Sequence, residues 1–484
     1  MGRLARVLAV VALCACATAP RYQPPPQAAP AVWREGPALA ESTAADVPWW
    51  RIYRDTTLQR LVHAALARNT DLGIAVERVT EARALLNAAR GAQLPWLGIS
   101  ATAERSHSRT VESGLTYTTR TDWLRASASA SWEADVFGVQ RNIARSAAAS
   151  LQASEELRRG VALLIVAEVA SGYVDLQASD RQLRIVQRTL EARRGYLETA
   201  RRRFESAPSS ALEFRQAQAL YEAAREQAID LQEAAADQEN ALSVLLGRAP
   251  EAIPRTGAPG DQLLAPVPAG MPAQLVVRRP DVRAAERELA AAGADVGAAR
   301  AQLFPSLTLS ADVGYTRFTS PAQVLQQDSL GFTTTSGTLT ATSFAWNVSA
   351  VVSQPLFAGG QLVAQVRAAE ARRRDAQMAY EGTVLAALQD AENQLAAVRF
   401  AADRRASADS QAAYAALALT AAEDRYGTGA SPFLEVVDAQ RTLLAAELGA
   451  VAARVRQADA VVGLYKAVGG GWLPDSSAAP ESGR

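Results

Sequence analysis

The chain has 484 residues with 50 basic and 50 acidic side chains, so its formal net charge is zero. That balance gives no electrostatic basis for a nucleic-acid partner. A single lysine, Lys466, stands among arginines. Beyond the N-terminus no run of roughly 18 apolar residues occurs, which argues against a spanning helix.

Residues 1–15 carry Arg3 and Arg6 ahead of a short apolar run, Val7 to Leu13, the pattern of a signal peptide. The run ends Leu13-Cys14-Ala15-Cys16, which resembles a bacterial lipobox with Cys16 as the lipidated residue. An ordinary signal peptide with incidental cysteines is the alternative. With Cys16 lipidated, the mature chain has no free thiol, hence no disulfide and no cysteine nucleophile. Ala17 in place of Asp points to the outer membrane. Residues 16–48 are rich in Pro and Ala and read as an extended tether.

Trp49-Trp50 opens the packed chain, and Leu58, Leu61, Val62, Ala65 and Leu66 keep helical spacing. Asn69 and Asp71 interrupt it before it resumes over 72–89. After Pro95 the period becomes two. Leu97, Ile99, Ala101 and Ala103 alternate with smaller or polar residues, and Leu124 to Trp132 do so again beyond a polar stretch at 106–122. The second half repeats the design with Leu307 to Tyr315 and Phe344 to Val352. Strands of about ten residues with one apolar face have the pattern of membrane-spanning β-strands. Periodicity alone favours two soluble hairpins of a sandwich, which have the same alternation. Four strands cannot close a barrel and open edges are not tolerated in lipid, so spanning strands would need other copies of the chain.

Long segments without proline follow each strand pair. A helix over 139–205 would run about 100 Å at roughly 1.5 Å per residue and needs partners of similar length. Leu176, Leu183, Leu190, Leu197 and Phe204 recur every seven residues, as do Phe214, Tyr221, Ala228, Ala235 and Leu242. That spacing favours coiled-coil packing. Both long segments break at a tip and return. Residues 203–222 and 425–444 superpose without a gap: Arg203 on Arg425, Phe204 on Tyr426, Glu213 on Glu435 and Gln218 on Gln440. Ser431-Pro432 suits an N-cap and first helical turn. The chain is therefore read as duplicated. A first repeat spans 49–247, with a β-hairpin at about 96–137 and a helical hairpin at about 138–247. A Pro/Gly-rich linker covers 248–280. The second repeat spans 281–473, with a β-hairpin at about 305–357 and a helical hairpin at about 358–468. The tail, 474–484, reads as disordered.

No HExxH, GxSxG or P-loop pattern is present, and His63 and His107 are isolated. An enzyme reading has no site, and no cofactor or metal is called for.

The lipobox at Cys16, Pro48-Trp49-Trp50, Asn69–Leu72 and Trp132–Gly138 together resemble the TolC-like outer-membrane efflux proteins. Asn240–Gly247, Val267–Gly270, Arg278–Asp281, Gly297–Ser306, Arg425–Arg441, Leu464–Ala467 and Gly469–Trp472 extend the likeness over nearly the whole chain. The lipoprotein (NodT/OprM-like) branch, which serves multidrug pumps, fits best. The resemblance implies an α+β membrane protein: a trimer whose protomers each give four strands to a twelve-stranded outer-membrane β-barrel, continued by a long periplasmic α-helical barrel. It implies a homotrimer in outer-membrane lipid, a periplasmic adaptor, and an inner-membrane transporter of the resistance-nodulation-division type. The conduit would be passive. The rival readings are a conduit for protein secretion of type I and a soluble periplasmic adaptor. Leu434, Asp438, Arg441 and Tyr426 match the family's periplasmic gate. Asp438 and Arg441 correspond to Gln216 and Ala219 in the first repeat, so the charged latch would belong to the second hairpin alone. Read as a bare helix face, Asp438 and Arg441 are a solvated pair of little energetic weight. The tip residues Ser206, Ala207, Pro208, Gly427, Thr428 and Gly429 are the expected adaptor contact.

Overall fold

The computed structural model describes residues 55–112, 115–206, 211–255, 278–328 and 331–470. The signal peptide 1–15, Cys16, the tether 16–48, Trp49-Trp50, Ala207 and Pro208, most of the linker 248–280, and the tail 474–484 lie outside the described residues.

Two short helices, α1 (Thr56–Arg68) and α2 (Thr70–Gly91), precede a hairpin of β1 (Trp96–Glu112) and β2 (Leu115–Ala134). The long helices α3 (Val139–Ser206) and α4 (Ala211–Leu245) follow. The pattern then repeats: α5 (Pro280–Ala301), a hairpin of β3 (Ser306–Asp328) and β4 (Gly331–Ser353), and the long helices α6 (Gln361–Gly427) and α7 (Phe433–Ala467). The chain divides into two compact units. Among described residues, one holds Glu81–Leu151 and Arg287–Gln377, and the other holds 55–80, 152–286 and 378–470.

In the first unit the strands form one antiparallel sheet in the order β1-β2-β3-β4, with β1 and β4 as its edges. The register puts all the alternating apolar residues on one face. Successive rows are Leu97, Ala130, Ala311 and Val348; then Ile99, Ala128, Val313 and Trp346; then Ala101, Ala126, Tyr315 and Phe344. This face is uncovered: Ile99 is 91% and Trp346 72% exposed. The other face carries Ser100, Ser127, Arg125 and Asp312, the last two ion-paired at 3.3 Å. The strands run 17 to 23 residues, longer than the alternation marks. Within the polar stretch, residues 106–112 and 115–122 are themselves strand, and at its foot Arg105 lies opposite Asp122 and binds it at 2.6 Å. Asp135 closes the hairpin by accepting the backbone N–H groups of Gln140 and Arg141, at 3.2 and 2.8 Å, where α3 begins.

In the second unit the core joins Leu58, Leu61, Val62 and Ala65 of α1 to Val166, Val169, Ala170, Tyr173 and Leu176 of α3. Leu242 of α4 and Val461, Val462 and Tyr465 of α7 complete it. An 18-residue window of α3 has mean hydropathy 1.5, enough to cross a membrane by composition alone, yet 61% of it is buried. Its apolar residues serve this core, and Glu168 and Asp175 interrupt them, so no continuous apolar run of spanning length occurs there. Asp55 caps α1 through the N–H groups of Thr57 and Leu58 and also accepts the Tyr173 hydroxyl at 3.2 Å. Asn69, which sequence periodicity marks only as an interruption, is a joint. Its Oδ1 caps α2 at Asp71 and Leu72, and its Nδ2 donates to Leu245 O at the end of α4, at 2.9 Å. The α4 end approaches so closely that a Cβ on Gly247 would lie 2.2 Å from Arg68 O.

Candidate functional site at the helical tips

The end of α6 is shaped by backbone chemistry. Gly429 takes φ +74°. Its N–H donates to Tyr426 O at 3.0 Å, and Ala430 N–H donates to Arg425 O at 2.8 Å. Those two bonds define a Schellman stop, which needs a left-handed residue at the position of Gly429. Gly427 lies inside the last turn without positive φ, so the two tip glycines do different things. Thr428 adds a hydroxyl bond to Arg425 O at 3.0 Å. Ser206 likewise bonds back to Arg203 O at 3.0 Å. The expected cap at Ser431 is not made. Pro432 occupies the N-cap of α7 with no side-chain cap bond, and the Ser431 hydroxyl is buried without a partner among described residues.

Beneath the tips, Phe433, Val436 and Val437 of α7 pack with Ala200 of α3 and Ala217 of α4. Phe433 sits between two tyrosines, with ring centroids 5.9 Å from Tyr196 and 5.5 Å from Tyr426. With Phe433, Val436 and Val437 turned inward, the opposite side of α7 is exposed. It carries Leu434 (60% exposed), Asp438 and Arg441, so the structure brings these three expected residues onto one outer stripe. Among described residues Asp438 and Arg441 form no ion pair with each other or with other side chains. Arg441 lies close enough to the buried Arg193 that, after burial, its charge lowers the Arg193 pKa. Arg193 is held by donating to Leu220 O at 2.7 Å.

Tyr426 points elsewhere. Its hydroxyl donates to Glu213 Oε1 of α4 at 2.5 Å, and the Arg203 guanidinium lies over its ring at 5.1 Å and reaches its hydroxyl. Burial and the Glu213 carboxylate push the Tyr426 pKa up to about 12. A second tyrosine, Tyr196 of α3, donates to Glu423 of α6 at 2.6 Å. The end of α6 is thus clasped to both helices of the first hairpin. Each hairpin also bridges its own tip: Arg203 to Glu213 at 3.2 Å, and Arg425 to Glu435 at 3.6 Å. These ion pairs are repeat equivalents. Arg203, Glu213, Tyr196 and Glu423 are absent from the sequence-derived site, although the superposition of Arg203 on Arg425 and Glu213 on Glu435 was the available signal.

A sheet with one apolar uncovered face, joined to paired long helical hairpins with a charged outer stripe at the tip, defines a membrane channel architecture. Comparison agrees. A sequence model of the outer membrane efflux protein family matches residues 61–248 and 271–470. The chain is 34% identical to the pyoverdine export outer membrane protein OpmQ of Pseudomonas aeruginosa, covering 98% of each chain. It is 32% identical to the probable efflux pump outer membrane protein TtgC of Pseudomonas putida, covering 98% of this chain and 96% of that one. Among solved structures it resembles the open state of the Neisseria gonorrhoeae MtrE outer membrane channel, with TM-score 0.76 and 29% identity over 95% of this chain and 99% of that one. The chain belongs to the outer membrane efflux protein family, a family of transport channels rather than enzymes. The α+β fold with a duplicated strand–helix plan and four strands per chain is the one expected from sequence.

Proposed function

We propose that the protein is the outer-membrane channel of a tripartite efflux pump. Three copies close their sheets into a twelve-stranded barrel, anchored by lipid at Cys16, and their long helices continue it as a periplasmic α-barrel. The repeats 49–247 and 281–473, joined by 248–280, are the units of this design. Drugs or other small molecules pass through passively, delivered by an inner-membrane transporter of the resistance-nodulation-division type through a periplasmic adaptor. The tips at Ser206–Pro208 and 427–429 are the adaptor contact. The relatives named for efflux and pyoverdine export support small-molecule cargo.

The observation that carries this reading is the sheet: four strands, one apolar uncovered face, and two unpaired edges at β1 and β4. In lipid such edges must be satisfied by further strands. Copies of the same chain supply them with the same hand and length. The gate is the outer stripe of α7. Three copies make an apolar ring of Leu434 and a charged ring of Asp438, with Arg441 free to reach a neighbouring protomer because it has no ion-pair partner among the described residues. Tyr426, bound to Glu213, holds the second hairpin against the first inside each protomer. Outer-membrane fractionation of the full chain, followed by native mass measurement, tests the assembly. Three copies per particle are expected, and a monomer in a soluble fraction refutes the reading.

A further inference from the structure

The uncovered sheet face changes chemistry along its length. From the row of Leu307 and Val352 to the row of Tyr315 and Phe344 it is apolar, about 26 Å of strand at roughly 3.3 Å per residue. Tilted by about 40°, that length rises roughly 20 Å, within the apolar band of outer-membrane barrels, about 25 Å tall. The next row on the same face brings in Arg317, followed by Arg105 opposite Asp122, His107 opposite Arg120, and then Arg109. Four arginines thus follow the aromatic row, against one carboxylate, which Arg105 already binds at 2.6 Å. Arg109, Arg120 and Arg317 are exposed and make no ion pair among the described residues. At the same level the reverse face carries Glu104, Trp123, Phe318 and Thr121 and has no comparable cluster. The belt therefore belongs to the apolar side.

We infer that this belt binds the phosphate groups of lipids in the outer leaflet. The inference rests on the channel reading above: apolar rows facing lipid and helices in the periplasm put the hairpin half of each strand, and so the belt, at the outer surface. An aromatic row of Tyr315, Phe344 and neighbouring Trp346 marks the interface, as such rings do in barrels. Arginine suits the partner because its planar fork binds phosphate oxygens in pairs. Near an anionic lipid surface each arginine contributes about fivefold in affinity, so the three unpaired ones contribute on the order of a hundredfold in low salt.

The test is native mass spectrometry of the purified full-length assembly titrated in detergent with diphosphoryl lipid A or with the same lipid stripped of phosphate. The wild-type assembly should retain the phosphorylated lipid at least about tenfold more tightly, and that preference should weaken as salt rises. Arg109→Gln with Arg120→Gln and Arg317→Gln should abolish the preference, and the matching triple Lys substitution should retain most of it. No preference in the wild type, a preference insensitive to salt, or an unchanged preference in the Gln variant overturns the inference. If the Gln variant does not assemble, the salt series and the Lys variant decide. Single-channel recording of the same wild-type preparation reports separately on the channel reading. Conductance without lipid preference refutes the belt alone, and a protein that neither conducts nor fractionates with outer membranes refutes both.

Discussion

The Tyr426 hydroxyl donates to Glu213 Oε1 at 2.5 Å across 213 residues of sequence, joining the tip of the second helical hairpin to the tip of the first. The first repeat has phenylalanine, Phe204, at the position of Tyr426, so the clasp exists in one direction only. Tyr426→Phe removes the donor and leaves Glu213 to Arg203. For a partly exposed charge-assisted bond the expected loss is about 1 kcal/mol of hairpin–hairpin attachment. In planar bilayers the variant should show more frequent or larger openings than wild type, and an identical open probability would remove Tyr426 from the closure.

The same clasp has a pH signature. Its neutral hydroxyl is stabilised by folding, with the pKa raised from about 10 to about 12. A raised tyrosine pKa contributes stability that is complete below the unfolded pKa and is lost as pH rises through the folded one. Channel closure should therefore be unaffected by this group between pH 6 and 9 and should loosen above about pH 10. Tyr426→Phe should erase that alkaline step, as read from conductance against pH.

A second titration lies deeper. Burial first, then the nearby Asp459, pushes the Asp175 carboxyl up to about 6, and Asp459 is raised as well by burial. Asp459 Oδ1 is buried without a hydrogen-bond partner among described residues. The folded state holds these protons more tightly than the unfolded one, so the pair's favourable contribution is present below about pH 4 and falls as pH rises through about 6. Asp175→Asn should raise the unfolding temperature at pH 7.5 and change it little at pH 4. Equal shifts at both values would show that the residue acts through packing rather than charge.

The tip glycines should separate cleanly. Gly429→Ala forces an alanine into φ +74° and should cost about 1–2 kcal/mol. Gly427→Ala sits in ordinary helix and should be neutral or mildly stabilising. Asn69→Ala, far from the tip, should cost about 1–3 kcal/mol, because two N–H caps and the bond to Leu245 O are lost together. Thermal unfolding of the three variants measures all of these.

The sequence carried the sheet well because side-chain period two is a local signal: the apolar set from Leu97 to Val352 falls on one face as read. It carried the strand ends poorly. Arg105 and Asp122 belong to the ladder through a cross-strand ion pair, and no apolar alternation marks them. The stripe of Leu434, Asp438 and Arg441 was legible because its spacing of four and three residues is helical. Tyr426, expected in the gate from the preceding helix, binds Glu213 and Arg203, a partnership that only tertiary packing around Phe433 creates. Ser431 departs from its expected capping role for a similar reason. Burial beside Phe433 leaves its hydroxyl unused while Pro432 sets the extended backbone that starts α7.

What separates the second hairpin from the first is the central claim, and Asp438 with Arg441 embodies it. Single-channel conductance of purified wild type and of Asp438→Ala with Arg441→Ala, compared in planar bilayers, tests it most directly. Wild type should show discrete small steps and the double variant steps several-fold larger. Equal conductance in the two would contradict it.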